Sequence, residues 1–360
     1  VVKEGEESVN HGDGGLQPAI PYCGRLKPAT TVSYREEHSA MRLSVLVEGA
    51  HGLTWTRWKE FVATTERLGF AGLYGSDHFT LAGAPPDKDS LELIVSLAYA
   101  AGHSDRLQLG QLVSPVSFRD PMMLTRQMLA LDDLSGGRMI FGIGAGWNVR
   151  EHAMFGYDLG DIKTRMDRFA ESLEVVTRLM RSDQPASYSG TYYHLEDATL
   201  LPRPQRRGGP PLLIGGSGPK RTLPLVARYA DIWNAAMVPP ETLKEKLTLL
   251  DMLIEKAGRQ PSDVARTLMT PVYCGRTVAA LAHQASGRRA SPALADLSDE
   301  ALVEQQCGRG AIMGTSEEVI ARIRVYESLG IEEIMVQWFA QDDLDGLQMI
   351  ADEVLPKVAG

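Results

Sequence analysis

The order of apolar segments in this chain predicts a (β/α)8 barrel, with insertions, from residue 41 to the end. Three observations carry the prediction. Eight short apolar runs alternate with stretches of helical spacing. The clearest unit, Leu107–Arg150, holds two apolar strands flanking an amphipathic helix, which is the repeat of a parallel α/β fold. No Gly-x-Gly-x-x-Gly turn follows the first strand, which disfavours a doubly wound open sheet.

The elements follow in order. Strand one is Arg42–Glu48, and its helix, Trp55–Leu68, carries Trp58, Phe61 and Val62 on one face before a Gly69 stop. Strand two, Ala71–Gly75, ends at Ser76-Asp77-His78, and Leu91–Ala101 is helical. Strand three is Leu107–Val113. The helix Met122–Leu134 follows it, with Asp120 as cap, Pro121 at the first position and Gly136-Gly137 as stop. Strand four, Arg138–Ile143, runs into Gly142-Ile143-Gly144-Ala145-Gly146. Asn148–Thr164 reads as irregular, Arg165–Arg181 as a long helix, and Ser187–Leu201 as a hairpin turning at Ser189-Gly190. Pro211–Ile214 is strand five, Lys220–Tyr229 a helix, Ile232–Asn234 strand six and Leu243–Ala257 a helix. Strand seven is Thr267–Cys274. The polar stretch Thr277–Gly310 is an insertion, Glu317–Leu329 a helix, Ile334–Trp338 strand eight and Leu344–Val358 the closing helix.

Residues 1–40 have no apolar period and many Gly, Pro and Glu, so a flexible extension is expected there. Met41 directly precedes strand one and is a candidate start of translation. No basic segment followed by an apolar one marks a secretory signal. A net charge of −9 argues against non-specific nucleic-acid binding. Charged residues interrupt every apolar run before membrane-span length. Cys23, Cys274 and Cys307 form neither a metal-type pair nor a disulfide framework. The histidines show no His-x-His or His-x-x-x-His spacing, so no metal site is expected. A cytoplasmic homodimer acting on a small molecule, with no nucleic-acid or membrane partner, is the expectation.

Four constellations bear on chemistry. Asp77-His78 ends a barrel strand, where it is either an acid–base pair or a loop cap. Leu112-Val113-Ser114-Pro115 stops an apolar strand abruptly, the setting of a ligand clamp. Gly215-Gly216-Ser217-Gly218 opens a helix whose first turn holds Lys220 and Arg221. Bare amides beside cations make a phosphate cradle, and the alternative is a tight turn. Arg165 and Arg168 read as a charge ladder with Asp167 and Glu171, and Arg119 is left for a surface pair or an anion.

Taken in order, GFAGLYGSDHF, LGQLVSPVSFRDP, LDDLSGGRMIFGIGAGWNVREHAMFG, PPLLIGGSGPKRTLPLVARYADIWN and GTSEEVIARIRVYESLGIEEIMVQ resemble the bacterial-luciferase-like superfamily of flavin and deazaflavin oxidoreductases. The likeness runs from Met41 to the C-terminus and is closest to the branch using coenzyme F420. It implies that Asp77 and His78 contact the deazaflavin ring, with His78 near the hydride-transfer centre. It implies a non-prolyl cis peptide at Leu112-Val113 behind the ring, next to Ser114. It places the phosphate tail at Gly215, Gly216, Ser217 and Gly218, helped by Arg221, and Asn148 and Glu151 in the loop over the ring. Sugar-phosphate dehydrogenases of this branch carry a Glu where this chain has Trp147, so the resemblance favours an apolar or aromatic substrate.

Three activities follow as expectations. The first is hydride transfer between F420 and a small organic substrate. The second is an FMN-dependent monooxygenase fed by a separate reductase. The third is a non-catalytic flavin-binding barrel.

Overall fold

The computed structural model describes residues 40–80, 87–291 and 293–359. The expected extension, and Cys23 within it, lies outside the described residues apart from Ala40.

Eight parallel strands close a barrel: β1 Arg42–Val47, β2 Gly72–Gly75, β3 Gln108–Gln111, β4 Met139–Gly144, β5 Leu212–Gly215, β6 Ile232–Ala236, β7 Ala265–Thr270 and β8 Glu333–Trp338. Each pairs with the next in sequence. The ring closes where β1 meets β8, in register from Arg42↔Glu333 to Val47↔Trp338. Because all strands are parallel, every strand's C-terminal end opens on the same face.

The outer ring comprises α1 Trp55–Leu68, α2 Leu93–Gly102, α3 Pro121–Leu134, α4 Val149–Phe155, α5 Ile162–Arg181, α6 Thr222–Tyr229, α7 Pro240–Lys256, α8 Val278–Gln284, α9 Asp299–Gly308, α10 Ser316–Ser328 and α11 Leu344–Met349. The sheet separates two apolar regions. Outside it, Trp58 and Phe61 of α1, Phe141 of β4 and Phe169 of α5 are fully buried against the helices. Inside it, Leu46, Tyr74, Leu112, Ile140, Leu213, Ile232 and Met335 fill the barrel. Each such side chain contributes about 1.5–3 kcal/mol on burial, so the barrel interior is a packed plug and not a channel.

The local signals read from sequence have physical counterparts. Asp120 caps α3 through the Met123 amide at 2.9 Å, with Pro121 at the first position. Gly69 ends α1 at φ +87°, a conformation that favours glycine.

Departures from the expected elements are local. Strand seven stops at Thr270 because Pro271 has no amide to donate, and Val272–Cys274 leaves the barrel to pair with Ile312–Gly314. The insertion at 277–310 contains two helices, α8 and α9. The stretch expected to be irregular contains α4, capped by Asn148. The hairpin pairs Ala186–Ser189 with His194–Ala198, and Gly190 donates its amide to the Tyr193 carbonyl at 3.0 Å across the turn. The closing helix widens into one π-turn at Ile350–Val354, just before Pro356.

Candidate active site

β2 delivers Asp77 and His78 to the open face of the barrel. The Gly49 amide donates to Ser76 Oγ at 3.0 Å and Ser90 Oγ donates to the His78 carbonyl at 2.7 Å, so the strand end is tied on both sides. α4 brings up Glu151, which is 1% exposed, and its carboxylate sits 3.0 and 3.1 Å from His78 Nδ1. The Phe79 amide donates to the same carboxylate at 3.2 Å. An acceptor-only carboxylate makes Nδ1 the protonated nitrogen, and no described protein group bonds Nε2. Burial alone pushes the imidazole pKa down. The Glu151 hydrogen bond and the charges of Glu151, Glu48 and Asp77 outweigh it, so the pKa lies above the usual histidine value.

Asp77 is buried and fully engaged. Its Oδ2 accepts from Ser114 Oγ at 2.7 Å and from Arg119 Nε at 2.9 Å, while Oδ1 accepts from Arg119 Nη2 at 2.7 Å. Arg119 also reaches Glu92, the cap of α2, at 2.7 Å. This bidentate clasp joins the loops after β2 and β3 and gives Arg119 a partner that the sequence left open. Asn148 is likewise occupied by the protein: its amide donates to the Thr80 carbonyl at 2.7 Å and its oxygen caps α4. The side chain offered for cofactor contact thus anchors the helix that carries Glu151.

The peptide bond between Leu112 and Val113 is cis, as the resemblance implied. Val113 lies against three glycines. A Cβ on Gly144 would stand 2.6 Å from Val113 Cγ2, and one on Gly215 would stand 3.1 Å from Cγ1. A Cβ on Gly142 would meet the Gln111 carbonyl oxygen at 1.9 Å. Glycines at the ends of β4 and β5 therefore make room for Val113, a requirement no other residue meets.

Glu48, directly after β1, was not singled out from sequence. It is buried, and its Oε1 accepts from Gln337 Nε2 at 2.5 Å. The signal was available, because Ser44, Leu46 and Glu48 lie two apart on one strand and share its inner face.

The loop after β5 only partly matches the expected cradle. Gly216 is at φ +112° and its amide already donates to the Asn234 carbonyl at 3.1 Å, so it is not free for an anion. The amides of Ser217 and Gly218 have no hydrogen-bond partner among the described residues, and Ser217 Oγ is buried with none. Arg221 pairs with Asp167 at 2.5 Å, and Asp167 also holds Lys163 at 2.6 Å. Lys220 is exposed. The expected charge ladder on α5 is rearranged. Arg168 pairs with Asp158, Glu171 accepts the Thr191 and Tyr192 amides, and Arg165 donates to the Gly146 carbonyl at 3.1 Å. The unpaired amides of Ser217 and Gly218 and the orphaned Ser217 hydroxyl fit the phosphate of a cofactor.

The rim beside His78 is aromatic. Trp147 meets the His78 ring edge-on at 5.5 Å and is 58% exposed. Phe79 stacks on Phe155 at 4.5 Å and meets Phe118 at 5.1 Å.

The chain is similar to several known proteins. The sequence profile of the luciferase-like monooxygenase family matches residues 41–333. An F420-dependent glucose-6-phosphate dehydrogenase of Amycolatopsis mediterranei (strain U-32) is 25% identical over 319 residues, covering 83% of this chain and 93% of that protein. Among solved structures, an F420-dependent secondary alcohol dehydrogenase with an F420-acetone adduct superposes with a TM-score of 0.76 at 18% identity, covering 89% of this chain and 100% of that one. The oxygenating component of 3,6-diketocamphane monooxygenase from Pseudomonas putida, in complex with FMN, superposes with a TM-score of 0.67 at 17% identity, covering 89% and 99%.

Proposed function

Because this chain belongs to the luciferase-like monooxygenase family and is an oxidoreductase, we propose that it moves hydride between coenzyme F420 and an apolar or aromatic small molecule. The observation that carries the reading is the pairing of His78 with the buried Glu151 carboxylate on the same barrel face as the glycine loops. The bound deazaflavin supplies the two-electron chemistry. Val113 and the glycines around it form the surface that backs the ring, and Ser217 and Gly218 offer amides to the phosphate. Glu151 accepts from Nδ1 and fixes the ring, and the upward pKa shift favours the doubly protonated imidazolium, whose Nε2–H neutralises charge developing on a substrate oxygen. Trp147 presents an indole edge-on to that imidazole, and the carboxylate that touches the ring, Glu151, is engaged at Nδ1. With Phe79, Phe118 and Phe155 the indole favours an apolar or aromatic substrate over a sugar phosphate.

An anaerobic titration followed by cofactor fluorescence tests the coenzyme. F420 is expected to bind at least tenfold more tightly than FMN. The reverse order would favour the flavin monooxygenase reading, and binding of neither would end both.

A further inference from the structure

One cation at the β5 loop has no part in the reading above. Lys246 stands on the second turn of α7 and is half-buried. Its ammonium donates to the Ser217 carbonyl at 3.2 Å, and no described carboxylate lies within ion-pair distance of it. Three other cations, on α5 and at the start of α6, behave differently. Lys163 and Arg221 converge on Asp167, and Arg168 pairs with Asp158. A half-buried ammonium held by a neutral carbonyl meets no counter-charge in that contact and keeps two further N–H donors. Removing such a charge from water is unfavourable unless an anion compensates it. Beside it stand the unpaired amides of Ser217 and Gly218 and the orphaned Ser217 hydroxyl.

We propose that Lys246 is a cofactor-binding residue whose ammonium supplies the counter-charge for the tail phosphate at Ser217 and Gly218. The proposal rests on reading that loop as the phosphate site. It assigns the electrostatic part of tail binding to α7, a helix that follows β6, and not to the Lys220-Arg221 pair that opens α6. The competing explanation is that Lys246 merely ties α7 to the loop. A tie needs a donor to a carbonyl, whereas a counter-charge acts only on an anionic ligand.

The two differ in ligand dependence. Lys246→Met and Lys246→Arg are titrated against F420 and against the same deazaflavin nucleoside lacking the phosphate, both read by fluorescence. The expected result is a tenfold or greater loss of F420 affinity in Lys246→Met, less than a twofold change for the phosphate-free ligand, and near wild-type F420 binding in Lys246→Arg. Equal losses on both ligands, or no loss on either, would overturn the proposal. Inorganic phosphate gives a readout independent of the coenzyme. Phosphate raising the melting temperature of the wild type but not of Lys246→Met supports the anion site even if F420 does not bind. No difference between the two proteins counts against it.

Discussion

The two sides of the barrel mouth are built on opposite electrostatic plans. On the β2–β4 side, ionisable groups are matched. Buried Asp77 is clasped by Arg119, buried Glu151 pairs with His78, and Arg119 reaches on to Glu92. On the β5–β6 side, a glycine loop leaves two amides and a hydroxyl without partners among the described residues, where Lys246 meets only a carbonyl. A compensated network fixes orientation, because each side chain is held by several hydrogen bonds that must break together. An uncompensated cation beside bare amides fixes nothing in the free protein and gains most when an anion arrives. Under the function proposed above, the first side carries the chemistry and the second the tether.

The sharpest way to break that assignment is to remove the imidazole. His78→Ala is expected to lower turnover by about 10²-fold or more, the range for a positioned acid–base group, while F420 affinity changes little. The comparison of kcat with the fluorescence Kd checks it. Parallel losses in both would make His78 part of the tether.

The next effect concerns the glycines that join the two sides. A Cβ at residue 144 would stand 2.6 Å from Val113 Cγ2, so Gly144→Ala forces that side chain to move. Overpacking of this kind costs about 1–3 kcal/mol, to be measured by urea denaturation. Adding Val113→Ala removes the colliding atoms and is expected to restore part of the loss, a coupling that a double-mutant cycle measures directly. Additive losses would show that Gly144 is needed for some reason other than Val113.

A smaller effect depends on pH. His78 has a raised pKa in the folded state, so its pairing with Glu151 stabilises the fold fully below the unfolded value, about 6.5, and the contribution fades as pH rises through the folded value. Glu151→Gln keeps an acceptor for Nδ1 but removes the charge. Its melting temperature is expected to fall furthest below wild type near pH 5.5, with the gap narrowing in alkaline buffer. A gap that widened with pH would mean that His78 is held neutral.

These two sides were unequally legible in the sequence. The barrel, the strand ends and the Asp77-His78 step follow from apolar periodicity and glycine placement, which are local. The partners are not local. Arg119 lies 42 residues from Asp77, and Glu151 lies 73 residues from His78. Only closure of the ring brings them together. Glu48 was one step from recognition, since it continues the inward-facing alternation of β1. Lys246 had no signal at all, because a lysine on an amphipathic helix is ordinary until the loop it reaches is known. Gly216 shows the converse failure: a glycine-rich run marks the loop but not which of its amides the neighbouring strand already uses.

The smallest expected effect separates Arg221 from Lys246. Arg221 opens α6 beside the glycine loop, which is why sequence favours it as the phosphate cation. In the structure it is 45% exposed and bound to Asp167, with Lys163 on the same carboxylate. A solvent-screened pair of this sort contributes about 0–1 kcal/mol. Arg221→Ala removes a solvent-screened charge that Asp167 already engages, so F420 affinity is expected to fall less than threefold. Among the described residues Lys246 has no carboxylate within ion-pair distance, so no such pairing offsets its charge at the loop. The discriminating measurement is the double variant Asp167→Asn with Arg221→Ala, titrated alongside each single change. If Asp167 is what silences Arg221, then Asp167→Asn alone strengthens F420 binding, and Arg221→Ala in that background abolishes the gain. If Arg221→Ala by itself weakens binding tenfold, the arginine leaves Asp167 for the phosphate, and the tethering side carries two cations in place of one.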